Sequence, residues 1–265
     1  MPVAPPYARG NPGGPMKLVG RIALVTGSSS GIGRGVALAF ASEGADVVIN
    51  HPSPAEAQAA AAVAAEVEAL GRRALVVQAD VSDEAQVTAM VAAAHAAFGR
   101  IDILVNNAGI AAAGAVHELE AAVWDRVIAV HLRGTFLVTK AVLPEMYARG
   151  SGRIINTASQ LAYKGAPGFS AYTAAKGGIL SFTRTTALEL GARGITINCV
   201  APGATLTPIL DDVPTEVLDQ IRAAIPLGRL AEVADIVPSY VFLASDEARH
   251  YQGQCLSPNG GDVFL

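Results

Sequence analysis

The chain has 265 residues, 51% of them hydrophobic and 16% charged, with a formal net charge of -4. That is ample material for a large core, and it excludes the basic surface of a nucleic-acid binder and the polybasic patch of a membrane-surface protein. No uninterrupted apolar run reaches the roughly 18–20 residues that cross a bilayer, so no membrane partner is expected.

Met1 to Pro15 holds five prolines and three glycines and lacks the apolar segment of a signal peptide. Residues 1–16 are read as a disordered tail and 17–265 as one domain. From there a rhythm sets in. Short apolar runs at 21–26, 45–50, 73–78, 101–106, 152–158, 194–200 and 253–257 read as strands. Between them, 32–43, 54–70, 82–98, 119–148, 170–191 and 231–244 read as helices. The alanine-rich stretch from Ala55 to Ala69 is broken by Glu56, Gln58, Glu66 and Glu68 and reads as a solvated helix. Gly44, Gly71, Gly99 and Gly191 are placed to close helices. Strands alternating with helices of this length indicate an α/β fold: a doubly wound parallel sheet of about seven strands with helices on both faces.

In such a sheet ligands gather at the carboxyl ends of the strands. The first strand ends in Thr26-Gly27-Ser28-Ser29-Ser30-Gly31-Ile32-Gly33 and turns directly into a helix. Free backbone N–H groups at the positive end of a helix bind phosphate. The glycines are spaced Gly27-x-x-x-Gly31-x-Gly33, not G-x-G-x-x-G. The later strands end at Asn50-His51, Asp80-Val81, Asn106-Asn107-Ala108-Gly109, Ser159 and Pro202-Gly203, which places these residues around one site. The segment 204–230, interrupted by Pro208, Pro214 and Pro226, reads as a lobe over the substrate pocket.

Tyr172 and Lys176 lie four apart at the start of a helix, on one face, with Ser170 placed to cap it. An ammonium beside a phenol favours the phenolate and lowers its pKa, and such a tyrosine can pass a proton to or from a carbinol oxygen. Ser159 can hydrogen-bond the same oxygen. Cys199 and Cys255 show no Cys-x-x-Cys spacing and no His/Cys cluster accompanies them. Reduced thiols, a cytoplasmic location and no metal are expected. Trp124 and Phe136, on the long fourth helix, are expected to pack against neighbouring elements, and His95, His117 and His250 to lie on the surface.

Together, Thr26-Gly27-x-x-x-Gly31-Ile32-Gly33, Asn106-Asn107-Ala108-Gly109, Ser159, Tyr172-x-x-x-Lys176 and Pro202-Gly203 resemble the short-chain dehydrogenase/reductase family, in order and from about Leu18 to Gly261. The resemblance implies a single Rossmann-type domain, an NAD(P)(H) cofactor and hydride transfer to or from a carbonyl or carbinol carbon. It implies Tyr172 as general acid/base, Ser159 as the orienting hydroxyl, and Lys176 as the group that lowers the tyrosine pKa and holds the nicotinamide ribose. It places Gly27, Ser28, Ser30, Gly31, Ile32, Gly33, Asn107, Ala108 and Gly109 against the cofactor. It sets Asp80 and Val81 beside the adenine, Pro202, Gly203 and Thr205 beside the nicotinamide amide, and Thr207 near the phosphates. Asn106 would stabilise the central strand. The family's usual helical asparagine is replaced by His131, which either relays a proton or merely packs. Dimers or tetramers through 119–148, 170–191 and the C-terminal segment are also implied.

No acid stands at the end of the second strand, where Asn50, His51 and Ser53 offer hydrogen-bond donors, so NADP(H) is expected over NAD(H). Gln160, Leu161, Tyr163 and Leu206 are candidates for the pocket wall, with a small ketone, polyol or sugar-like substrate expected. A 3-oxoacyl thioester reductase is the alternative. A dinucleotide-binding sensor or scaffold without catalysis is a third reading, which the intact Ser159, Tyr172 and Lys176 oppose.

Overall fold

The computed structural model describes residues 15–211 and 213–264, so all but the last two residues of the expected tail lie outside the described residues. Seven strands form one sheet in the order β3-β2-β1-β4-β5-β6-β7. They are β1 (Ile22–Val25), β2 (Asp46–His51), β3 (Ala74–Gln78), β4 (Ile103–Asn106), β5 (Gly152–Thr157), β6 (Ile195–Val200) and β7 (Cys255–Leu256). Every pairing is parallel. This is the expected doubly wound arrangement, and it carries helices on both faces.

Strand residues alternate between two cores, as side chains on a pleated strand must. Ala23, Val25, Ile103 and Val105 face α1 (Gly31–Ser42), α2 (Ala57–Ala69) and α9 (Val233–Ala244), where Phe40, Val63 and Tyr240 are buried. Leu24 and Leu104 face α3 (Glu84–Phe98), α5 (Gly134–Arg149) and α7 (Ser170–Leu190), where Met90, Val142 and Leu190 are buried. A polar thread crosses the sheet. Asn106 donates to Thr139 Oγ1 at 3.0 Å and to Asn156 Oδ1 at 2.9 Å, and Asn156 donates to Thr183 Oγ1 at 2.8 Å. It ties β4 and β5 to helices on one side, as the resemblance implied for Asn106.

Several local expectations need correction. The segment 119–148 is one helical rod of 29 residues, Ala121–Arg149, but its middle is a π turn, Ala129–Arg133, between α4 (Ala121–Ile128) and α5. The rod is long and apolar enough to span a bilayer, yet 50% of its most apolar stretch is buried inside the fold, which marks a core helix. Trp124 and Phe136 on this rod do not pack inward; they are 36% and 45% exposed. Ser170 does not cap α7. It is the first helical residue, Phe169 holds the cap position, and the Ser170 hydroxyl is buried without a partner among the described residues. The lobe 204–230 contains α8 (Thr215–Ala224), none of whose residues is buried. Cys199 and Cys255 are register partners across β6 and β7, and both thiols are free.

Gly44, Gly71 and Gly99 close their helices with positive φ, but Gly191 does not. At Gly191 φ is -54°, the helix tightens into a 3-10 turn, and the left-handed residue is Gly194 at +71°. A Cβ at Gly194 would also lie 2.4 Å from the Gly150 carbonyl oxygen, whereas one at Gly191 would meet nothing closer than 3.9 Å. Gly191→Ala should therefore leave the unfolding free energy from urea denaturation unchanged or raise it by up to about 1 kcal/mol. Gly194→Ala should lower stability by more than about 1 kcal/mol. Equal midpoints for the two variants would contradict this reading of the turn.

Candidate active site

The glycine turn leaves β1 and enters α1 with Gly27 and Gly31 at φ +61° and +54°. Side chains are shut out of it. A Cβ at Gly27 would lie 2.8 Å from Ala108 Cα, and one at Gly33 would lie 2.2 Å from the Gly27 oxygen. Thr26 and Asn107 sew this turn to the end of β4. Thr26 Oγ1 accepts from the N–H groups of Asn107 (3.0 Å) and Ala108 (3.1 Å), and Asn107 Nδ2 donates to the carbonyls of Thr26 and Gly27, each at 3.1 Å. No side chain among the described residues caps α1, and its first turn carries no acid. An uncapped helix start framed by crowded glycines is a fitting cradle for a pyrophosphate. Thr207, across from Gly31, borders it: a Cβ at Gly31 would meet Thr207 Cβ at 3.5 Å.

The second strand closes the same turn. The Gly27 N–H donates to Asn50 Oδ1 (3.1 Å), the Ser28 N–H to the Asn50 carbonyl (2.9 Å), and the Ser28 hydroxyl to the Val25 carbonyl (2.8 Å). Asn50 Nδ2 donates to the Ala79 carbonyl at 2.9 Å. His51 Nδ1 lies 2.8 Å from the Ser53 carbonyl. Ser28, Asn50 and His51 are all buried. Their side chains build the turn and are not the free donors to a ribose that the sequence suggested; Ser30 is exposed and Ser53 half-buried. The Asp80 carboxylate is likewise committed, to Arg126 (2.8 Å) and to the Ser82 hydroxyl (2.7 Å). Burial pushes its pKa up, but these bonds outweigh it and hold the group below the ordinary range. Val81 packs under the π turn, against Gly134.

Ser159 follows β5 and is held by the Leu161 N–H, which donates to its Oγ at 3.1 Å. Tyr172 is half-buried, and Ser159 stands close enough to temper the effect of burial on its phenol. Lys176, buried beneath, lies 5.5 Å over the tyrosine ring and donates to the Thr157 carbonyl at 2.6 Å. Ser159, Tyr172 and Lys176 are thus brought together. The expected lowering of the Tyr172 pKa is not what this geometry gives. Burial pushes the phenol up, partly offset by Ser159, while the ammonium sits over the ring. Burial pulls Lys176 itself down to about 7, against a smaller upward pull from Cys199.

His131 stands in the π turn, a distortion common at functional sites. Its ring lies edge-on to Tyr172 with centroids 5.3 Å apart. Its Nε2 lies 3.0 Å from the Ile110 nitrogen and 2.8 Å from the Ile110 oxygen, and its Nδ1 is buried without a partner among the described residues. Burial, then the Lys176 charge, hold it down to about 3 against the Ile110 bond, so the imidazole is neutral near pH 7. It clamps the loop after β4, where a Cβ on Gly109 would come 2.4 Å from its ring. His131 thus touches the Ile110 backbone and the Tyr172 ring as a neutral imidazole.

Tyr172 packs in an apolar cluster with Ile110, Ala112, Leu119, Val127 and Ala171, with the Phe169 ring 6.4 Å away. Sequence reasoning missed these because no polar motif marks them. Gln160 Nε2 donates to Asp262 at 2.7 Å and its Oε1 is buried without a partner among the described residues. Pro202 and Gly203 anchor the floor: the Pro202 oxygen accepts from Gln160 N, and the Gly203 N–H donates to the Pro258 oxygen. Thr205 donates to the Gly203 oxygen at 2.8 Å. Leu161 is half-buried and Leu206 exposed. Tyr163 is corrected: it packs with Ala158, Ile179 and Cys199, and its hydroxyl meets the Cys255 thiol.

A family model described as enoyl-(acyl carrier protein) reductase matches residues 27–262. The chain is 45% identical over 246 residues to (2S)-((R)-hydroxy(phenyl)methyl)succinyl-CoA dehydrogenase subunit BbsD of Thauera aromatica, covering 93% of this chain and 98% of that protein. It is 40% identical over 239 residues to the 3-oxoacyl-(acyl-carrier-protein) reductase FabG of Staphylococcus aureus, covering 90% and 96%. The crystal structure of levodione reductase superposes with a TM-score of 0.88 at 38% identity, covering 92% of this chain and 98% of that one.

The folded-state pKa of His131, about 3, lies below its ordinary 6.5. Its contribution to stability is therefore complete above pH 6.5 and is lost as the pH falls toward 3. At the acid limit the loss is on the order of 5 kcal/mol. His131→Asn should flatten the fall of the urea midpoint between those pH values. Parallel curves for wild type and variant would contradict a buried neutral imidazole.

Proposed function

The chain belongs to the short-chain dehydrogenase/reductase family, and from that premise we propose that it interconverts a ketone and a secondary alcohol with a nicotinamide dinucleotide. The observation that carries the reading is the meeting of Ser159, Tyr172 and Lys176 beside an uncapped, glycine-framed helix start. Bound there, the dinucleotide supplies or accepts a hydride. Gly31, Ile32 and Gly33 would hold its pyrophosphate through backbone N–H groups, with Thr207 beside them. Ser159 orients the substrate oxygen by a hydrogen bond. Tyr172 gives its phenolic proton to that oxygen in reduction and takes it back in oxidation. Lys176 sits over the Tyr172 ring and holds the Thr157 carbonyl. Ile110, Ala112 and Phe169 keep water from the reacting oxygen, and His131 fixes the Ile110 end of that wall.

This apolar wall favours a small apolar ketone over a polyol or sugar. A 3-oxoacyl thioester is the second reading, supported by the likeness to the S. aureus reductase. The expected preference for NADP(H) keeps only the hydroxyls of Ser30 and Ser53 as support, since Asn50 and His51 are committed elsewhere. A homotetramer or dimer accords with the apolar groups left bare on the long rod and α7: Trp124, Phe136, Tyr147 and Leu188. A cytoplasmic location accords with the two free thiols.

Tyr172→Phe tests the assignment. With cyclic and aryl ketones and 3-oxoacyl esters offered alongside NADH and NADPH, wild type should turn over at least one class. The variant should lose about 10²–10⁴-fold in kcat while its dinucleotide Kd stays within a few-fold. Equal turnover by the two proteins would refute the role given to Tyr172.

A further inference from the structure

The chain has two cysteines, and the fold sets them side by side. Cys199 lies on β6 and Cys255 on β7, opposite each other in a parallel pairing. Paired strands run about 4.8 Å apart. Cα atoms separated by about 4.4–6.8 Å can carry a disulfide. Register partners also point to the same face of a sheet. Both cysteines accordingly pack in one cluster with Ala158, Ile179 and Leu180. No third cysteine competes for either.

The two thiols differ in setting. Cys199 is 1% exposed, and its thiol donates to Thr183 Oγ1 at 3.1 Å. Cys255 is half-buried, on a two-residue strand at the edge of the sheet. The neighbouring Cys199, then Tyr163 and the Arg184 charge, hold the Cys255 thiol below its ordinary range against the pull of burial. Cys255 and burial hold Cys199 above its own. The thiolate, not the thiol, attacks an oxidant. The exposed member of the pair is therefore the reactive one, and the shielded member stands directly behind it. Neither thiol has a part in the proton transfer at Tyr172.

We propose that Cys199 and Cys255 form a peroxide-oxidisable dithiol site, in which Cys255 attacks and Cys199 closes the bridge. The Cys255 thiolate attacks one oxygen of the peroxide, and the O–O bond breaks. A sulfenic acid remains on Cys255, and the departing hydroxide takes up the proton that the thiol released. The Cys199 sulfur then gives up its proton and attacks the Cys255 sulfur. The S–S bond forms, the S–O bond breaks, and water leaves. The two thiols lose two electrons, and the peroxide is reduced to two waters. The bridge closes the loop 199–255, which carries Pro202, Gly203 and Thr205 of the site floor and the lobe 204–230. It also removes the thiol that the Tyr163 hydroxyl meets. Small thiols reopen it by exchange, so the reduced pair and the bridge interconvert.

The test reads thiols and mass in the folded protein. Wild type, reduced and then freed of reductant, is treated with a small excess of hydrogen peroxide. Its intact mass should fall by about 2 Da as both thiols disappear, and dithiothreitol should restore both. Peptide mapping should find Cys199 joined to Cys255 within one chain. Cys199→Ser should stop at the sulfenic acid, gaining about 16 Da and reacting with dimedone. Cys255→Ser should lose its remaining thiol at least about tenfold more slowly than Cys199→Ser. A wild type that keeps both thiols, bridges between chains or gains oxygen without closing a bridge would overturn the proposal. Equal reactivity of the two variants would overturn the roles given to the two sulfurs. Matching circular dichroism spectra establish that the variants are folded, and the wild-type mass stands without them.

Discussion

Everything at the working edge of this sheet depends on how β1 is sewn to β4. The strand order places β1 between β2 and β4, so the chain leaves β1 in one direction and later returns on its other side. The gap this opens at the carboxyl ends is where ligands enter such sheets. Here Thr26 and Asn107 close the gap with four hydrogen bonds, and the glycines make those bonds possible by letting backbone press on backbone. The result is a rigid rim with its helix start uncapped. Ser159 and Pro202 extend the same rim along β5 and β6.

The chemistry on that rim is set by burial more than by charge pairing. Tyr172, Lys176 and His131 all have pKa values moved away from their charged forms by desolvation. The ammonium of Lys176 further discourages an imidazolium at His131, so the three groups share a single positive charge at most near neutrality. That arrangement suits a site in which a proton passes to an oxygen and back. A permanent ion pair would have fixed it. His131 stands in the π turn, against the Ile110 backbone and edge-on to the tyrosine ring.

Much of this was legible in the sequence because it is written in period and punctuation. Apolar runs, helix lengths and glycines announced the parallel sheet, and Ser159, Tyr172 and Lys176 stood where strand ends and helical spacing required. What escaped depends on long-range packing. Gly191 and Gly194 are alike on paper, and only the approach of the Gly150 carbonyl shows which must be left-handed. Trp124 and Phe136 look like core residues by type, yet the rod turns their face outward. Tyr163 lies near Ser159 in the chain but packs toward Cys255. The end of β2 carries no acid, while the fold brings Glu56 to the turn, where it accepts from Ser29. Asn50 and His51 look like free donors by type, and only the fold sets carbonyls beside them.

The central claim is that the glycine rim delivers a nicotinamide ring to Tyr172. A crystal structure of the protein soaked with reduced dinucleotide measures this most directly. The pyrophosphate should lie on the start of α1, with the nicotinamide C4 facing the Tyr172 hydroxyl across room for one substrate carbon. A dinucleotide bound elsewhere, or one whose nicotinamide points away from Tyr172, would contradict it.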